Sequence, residues 1–327
     1  MSDPETSRDP VGAPGIPAGA RPGLGLALVF ATALISGVST FVNFYAVQGT
    51  SSDAFVTARN LVTALLLLPV AWIGHRAFRG RLGRGDWGRL ALIGLVGGAI
   101  PFLLFFHGLA LATAAGGAAT ASFAYRGLFL AATILGIVFL HERLHWRGTL
   151  AAALLLGGNV LLLSFYEPVW TPGTAYVLAA TLLWAGEYTL SRRTLRRLPS
   201  STVGLGRMGF GAAFLGAYLA ITGQVGQATT MSVSEWEWVG ISALLLAAFV
   251  VAWYAGLKRV EVGPATSVLV LGFPVTFVLG SAFAGTPFTL AQAAGAAVVT
   301  VGVGVALGGA ALRRAWGSVA ALARPTA

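Results

Sequence analysis

Residues Ala114–Leu140 read AAGGAATASFAYRGLFLAATILGIVFL, a stretch with a single charge, Arg126. The connector HERLHWR follows, and then a second apolar run over Gly148–Phe165, GTLAAALLLGGNVLLLSF. At about 1.5 Å of rise per residue, either run reaches across a hydrocarbon layer about 30 Å thick. The same plan returns more weakly over Gly263–Gly309, GPATSVLVLGFPVTFVLGSAFAGTPFTLAQAAGAAVVTVGVGVALGG. Two membrane-length helices joined by a tight connector, and then repeated, set the architecture of the chain.

Composition agrees. Apolar residues make up 56% of the 327 and charged residues only 10%, where a soluble chain carries about 25% charged residues. This is the composition of an all-α polytopic membrane protein. Its 44 glycines suit close helix approach in lipid. Cysteine is absent, which excludes disulfides, thiolate metal sites and thiol nucleophiles. Twenty arginines stand against one lysine, and alanine and glycine are abundant, as in a GC-rich bacterial genome. The cytoplasmic membrane of a bacterium is the expected location.

Ten crossings are expected, over 24–48, 54–74, 88–111, 115–140, 148–165, 173–191, 203–223, 238–257, 264–284 and 290–312. Residues 1–22, rich in Pro, Gly and Ala, read as a disordered cytoplasmic tail rather than a signal peptide. Residues 313–327 form a second cytoplasmic tail. With both termini in the cytoplasm, alternate connectors and the tails hold all but three of the 21 cationic residues. The external connectors hold none, only Asp53, Glu167, Glu235 and Glu237. This segregation follows membrane topology and not a phosphate-binding face, so the net charge of +10 does not point to nucleic acid.

The halves match in register. Arg59 pairs with Arg207 and Gly108 with Gly256 at one common offset, and Ser36-Gly37-Val38 pairs with Trp184-Ala185-Gly186. Ala119-Thr120 pairs with Ala265-Thr266 at a slightly shorter one. Five spans per half is an odd number, so the second half enters from the opposite face. The expectation is two inverted repeats, 23–167 and 168–312, with a solute site near midplane where they meet.

These residues resemble the drug/metabolite transporter superfamily of the EamA type, with two five-helix repeats. The resemblance rests on Arg59 and Arg207 early in the second helix of each half, and on Ala255-Gly256-Leu257-Lys258-Arg259-Val260 leading into Gly263-Pro264-Ala265. Phe273-Pro274-Val275, the connector Leu140-His141-Glu142-Arg143-Leu144, Gly157-Gly158 and Gly302 add to it. Three positions depart from the pattern. Arg126 stands near the place of a helix-4 proline, Thr286-Pro287 replaces the second connector glutamate, and Ser36 lies where a helix-1 tryptophan is common. The resemblance implies a secondary transporter, often an exporter, of small metabolites or amphipathic compounds, working without ATP hydrolysis or a cofactor. A lipid-linked solute flippase is the rival within transport.

His141-Glu142-Arg143-Leu144-His145 has the H-E-x-x-H spacing of a zinc protease, which raises an intramembrane metalloenzyme as the rival outside transport. Zinc ligation at that spacing needs one continuous helix, whereas these residues fall in a turn. We expect no metal there, with Glu142 capping a helix or pairing with nearby arginines. The glycine runs Gly94-Leu95-Val96-Gly97-Gly98 and Gly302-Val303-Gly304 read as packing faces, and no constellation for hydrolysis is present.

Candidate solute contacts come from polar groups inside spans. Ser36, Ser39, Thr40 and Asn43 fall on one helix face, and Trp184, Glu187, Tyr188 and Ser191 are their repeat counterparts. Such a face lines a cavity or hydrogen-bonds a neighbouring helix. Phe105-Phe106-His107 and Trp253-Tyr254 are candidate aromatic walls. Arg126 is the sharpest signal, because a mid-membrane charge costs about 2.5–3.5 kcal/mol on insertion scales and is retained for a cavity or a partner. Tyr125 adjoins it and Ser122 shares its face. Glu187, Arg207 and Arg59 are coupling or gating candidates, with a permanent Glu187–Arg207 pair as the alternative. The expected partners are a small-molecule solute and the bilayer, and a homodimer is compatible with the sequence.

Overall fold

The computed structural model describes residues 22–46, 51–76, 78, 80–116, 118–142, 146–163, 169–285 and 289–308. Every regular element among them is helical. In chain order these are α1 (Pro22–Ala46), α2 (Ser52–Arg76) and α3 (Arg84–Ala114). Next comes α4, in two parts, Ala118–Arg126 and Leu128–Leu140. Then follow α5 (Trp146–Leu162), α6 (Pro172–Leu195), α7 (Ser200–Ile221) and α8 (Val233–Leu257). The two-part α9 covers Val262–Leu269 and Gly272–Ala284, and α10 covers Leu290–Leu307. A short helix, Val225–Thr229, lies between α7 and α8.

Eight helices are long and apolar enough to cross a membrane. The other two differ in opposite ways: α5 is apolar but shorter, at 17 residues, and α6 is 24 residues long but carries Glu187, Arg192 and Arg193. The starts of α6, α8 and α10 share one device. Thr171, Ser232 and Thr289 each accept a hydrogen bond from the amide three residues on, and the side chain at that position returns it.

Packing exchanges the two halves. Helix α1 lies on α8, and α3 lies on α6; α2 packs with α7, α4 with α9 and α5 with α10. Moving each label five places on turns the first contact into the second and returns the other three to themselves. Glycines permit the two exchanged contacts. A Cβ on Gly256 of α8 would meet Val29 of α1 at 2.7 Å, and a Cβ on Gly108 of α3 would meet the Gly173 carbonyl of α6 at 2.7 Å. Gly25, which faces the α8 end, and Gly173 are separated by the same 148 positions as Gly108 and Gly256.

Burial is inverted relative to a soluble protein. Leu65, Ile73, Phe139, Leu244 and Phe283 are exposed, while Arg59, Asn60, Arg126, Glu187 and Arg207 are buried. A lipid-facing surface demands that arrangement, since charge inside a bilayer is stable only among other helices or water.

Three helices depart from regularity. In α9, Pro274 has no N–H and its ring crowds the Val270 carbonyl four residues back, so the helix breaks at Val270–Leu271. The corresponding break in α4 falls at Gly127, a weak helix former, without a proline. In α3, Gly94–Ala99 winds as a π-turn, which shifts carbonyls out of the ordinary ladder.

Candidate functional site

The breaks in α4 and α9 face each other across a cavity of about 70 Å³. Tyr125, Arg126, Leu128 and Phe129 flank one break; Leu269, Val270, Gly272 and Phe273 flank the other. Ser36 and Thr40 of α1, Tyr188 of α6, Phe249 of α8 and Thr266 of α9 complete the wall. Interrupted helices at this depth are tolerated where the irregular backbone is covered by protein or lines a cavity.

Arg126 is 7% exposed. Its guanidinium sits over the Phe273 ring at 4.3 Å and donates from Nη1 to Asn159 Oδ1 of α5 at 3.4 Å, leaving Nε without a hydrogen-bond partner. Asn159 in turn donates to the Leu155 carbonyl at 2.7 Å, which fixes which way its own oxygen points.

Behind Tyr125 and Tyr188 lies a buried polar core organised on the π-turn of α3. Gly97 O accepts from Trp184 Nε1 and from Arg207 Nη2, each at 3.1 Å, and Gly98 O accepts from Asn60 Nδ2 at 3.0 Å. Arg59 reaches Asn60 Oδ1 at 3.4 Å and lies over the Phe102 ring at 4.9 Å. Glu187 Oε1 accepts from Tyr254 OH at 2.6 Å and from Ser191 Oγ, and its Oε2 stands 3.9 Å from Arg207 Nε. That last approach is a contact of charges rather than a hydrogen bond, because neither atom has a hydrogen-bond partner.

The sequence matches the EamA-like transporter family twice, over residues 23–164 and 171–308. The chain belongs to the EamA-like transporter family. A solved structure titled only as a crystal structure of a protein resembles it with a TM-score of 0.68 at 19% identity, covering 86% of this chain and 96% of that one. No curated protein matches the chain. The structural likeness speaks for the fold alone.

In this EamA-like chain the predicted site residues separate into groups. Arg126, Tyr125 and Tyr188 line the cavity. Trp184, Trp253 and Tyr254 stand one layer back. Trp184 meets Tyr125 edge-on at 5.5 Å, Trp253 lies 4.6 Å from Tyr188, and Tyr254 holds Glu187. Glu187, Arg207 and Arg59 form the polar core. The α1 stripe divides: Ser36 and Thr40 face the cavity, while Asn43 bonds Ser39 at 3.3 Å and accepts from Ser242 of α8 at 2.6 Å, so that part ties two helices. Ser122 is half-buried one turn from Arg126 and is not among the lining residues. His107 is exposed, edge-on to Tyr176 at 5.5 Å, and faces away from the cavity. Phe273, Thr266 and Asn159 were missed. Asn159, the lone amide in an otherwise apolar run, was the one signal that could have found the Arg126 partner.

The described part of the H-E-x-x-H connector makes a contact of its own. Helix α4 ends at Leu140, and His141 adopts a left-handed conformation with φ 57°, so the helix that zinc spacing requires stops there; His145 lies outside the described residues. The turn swings Glu142 onto the start of α9. Its Oε1 accepts from Val262 N at 2.9 Å and Oε2 from Gly263 N at 3.3 Å, a carboxylate on a helix N-terminus supplied by the other half of the chain. Burial pushes the Glu142 carboxyl above its ordinary range, against the opposite pull of these two amides. Around the same end, Arg192 Nη1 donates to the Leu257 and Lys258 carbonyls at 2.9 and 2.7 Å, and Lys258 Nζ donates to Leu198 O at 3.0 Å. Burial, and then the neighbouring Arg259, lower the Lys258 ammonium from its usual value.

Proposed function

We propose that this chain is a secondary-active transporter of the cytoplasmic membrane that moves a small metabolite or amphipathic solute by alternating access. Export is the favoured direction. Ten helices cross the membrane as two inverted five-helix repeats, with both termini in the cytoplasm. The observation that carries the reading is the cavity between two interrupted helices, one from each matched repeat, with a charged side chain in its wall. Broken helices meeting at midplane are how transporters expose polar groups to a solute inside a bilayer. The exchange of α1–α8 with α3–α6 supports two-fold related halves that rock about that point. At the cationic end Glu142, Arg192 and Lys258 tie the start of α9, the end of α8 and the α6–α7 connector together, which supports a cavity shut towards the cytoplasm.

A second reading has an observation of its own. An apolar groove of about 560 Å³, bounded by Leu68 and Trp72 of α2, Trp87 of α3 and Phe210 of α7, opens on the outer surface. A lipid-linked solute could place its chain there, as a flippase requires.

The test is flux in proteoliposomes holding the purified chain. Solute counterflow without ATP, blocked by substitutions in the cavity wall, is the expected result. Flux that requires ATP, or movement of lipid-linked solutes alone, overturns the transporter of free solutes.

A further inference from the structure

We propose that Arg126 receives the carboxylate of the transported solute, and that the solute is a monoanion with an apolar body. This rests on the reading of the cavity as the solute site.

Three observations converge. First, Arg126 is buried without a counter-ion. Among the described residues the ion pairs are Arg89–Asp86 and Arg207–Glu187, and no acid lines the cavity. Second, its donors are underused: one bond of 3.4 Å from Nη1 and none from the buried Nε. The Phe273 ring offsets part of the burial of the charge through its face and takes none of the in-plane N–H groups. A guanidinium in that state is poised for the two parallel N–H···O bonds that a carboxylate accepts. Third, the rest of the wall selects against other charges. An ammonium group would meet a cation and find no carboxylate. A second anionic group would find no second cation in the wall: Thr40 and Thr266 already donate to the carbonyls of Ser36 and Val262, which leaves the neutral hydroxyls of Ser36, Tyr125 and Tyr188 as the further donors among the lining residues. Phe249, Leu269 and Val270 suit an apolar remainder. About 70 Å³ holds a carboxylate and a few attached atoms, given that roughly 10–15 Å³ accommodates one water.

The experiment uses the purified full chain and a series of monocarboxylates from acetate through pentanoate to phenylacetate. Each is paired with its methyl ester and with the amine of matching body, at constant ionic strength set by sodium chloride. Thermal shift gives binding, and proteoliposome counterflow gives transport. At least one acid should bind tenfold or more tightly than its ester and its amine. Arg126→Lys, which keeps the charge and loses the fork, should weaken that acid severalfold, and Arg126→Gln should abolish the preference. Should Arg126→Gln fail to fold, the acid-to-ester ratio of the unsubstituted protein decides. If no acid outperforms its ester, or if chloride stabilises the protein as much as the best acid, the proposal is wrong. Flux of neutral or cationic solutes that ignores Arg126 would overturn it and leave the transporter standing. A protein that binds acids yet moves nothing would overturn the transporter and leave the site.

Discussion

Replacing Glu187 by glutamine should unbalance the polar core. The Glu187 side chain is fully buried, its Oε2 lies 3.9 Å from Arg207 Nε, and Arg207 is itself 3% exposed. Unit charges about 4 Å apart at an effective dielectric of about 20 attract by about 4 kcal/mol. Removing one partner of a buried pair typically costs about 3–5 kcal/mol, because the survivor stays desolvated. Glutamine keeps the volume and an oxygen for Tyr254 and Ser191, so the loss isolates the charge. Glu187→Gln should therefore destabilise by about 3–5 kcal/mol. Arg207→Gln should cost at least as much, since it also gives up the bond to Gly97 O. The double substitution should cost less than the two added together, by about 2 kcal/mol or more. Denaturant titration of the micellar protein, followed by tryptophan fluorescence, measures all three. Additivity within about 0.5 kcal/mol would refute the pair. Transport separates staple from proton carrier. Loss of accumulation driven by a pH gradient, with solute exchange retained, makes Glu187 a coupling site; accumulation that survives in Glu187→Gln leaves it a staple alone.

Reporter fusions after residues 168 and 199 should read outside and inside; the reverse assignment would overturn the cytoplasmic termini, and two readings on one side would dismantle the proposed inverted repeat. Glu142→Ala should loosen the start of α9 by about 1 kcal/mol, roughly a fivefold shift towards the state open at that end. With no native cysteine in the way, labelling of single cysteines placed near Val262 would report it; unchanged labelling would reject the clamp. Because burial raises the Glu142 carboxyl, the clamped state holds the proton more tightly than a state with Glu142 in water. Clamping is therefore favoured on the acid side and weakens as pH rises through the raised value, a dependence that Glu142→Gln should flatten. His141→Gly should stabilise by about 1 kcal/mol, since the matching turn of α9 uses Gly285 at φ 64°. A lowered unfolding midpoint would contradict that account.

Most helices were legible because lipid imposes length and apolarity together, and the arginine connectors punctuate the runs. Charge was legible for the same reason: Arg59, Arg126 and Arg207 stood out against apolar neighbours, and all three are buried. The interruptions were not. Gly127 is one glycine among 44, and nothing local marks it as the place where α4 breaks. The π-turn was read as a packing face, which describes its glycines but not the carbonyls they uncover. His107 looked like a cavity wall because its neighbours Phe105 and Phe106 are aromatic, yet a rotation of about 100° per residue sends it to the outer surface. Which way a helix turns depends on its partners, and those become visible only in three dimensions.

The anchors on Gly97 and Gly98 are main-chain oxygens, and that changes what variation can do to them. No base substitution erases a carbonyl. Whatever happens to Trp184, Arg207 or Asn60, the acceptors they share persist in every descendant that keeps the glycines and the number of residues in the turn. Loss of one residue between Gly94 and Ala99 would be another matter. It would rewind the segment as an ordinary helix, retire the displaced carbonyls into its ladder and release side chains from three helices at once. The vulnerability of this core lies in spacing and in the turn's own glycines, where a Cβ on Gly98 would run into the Arg207 carbonyl and one on Gly97 into the Glu187 side chain.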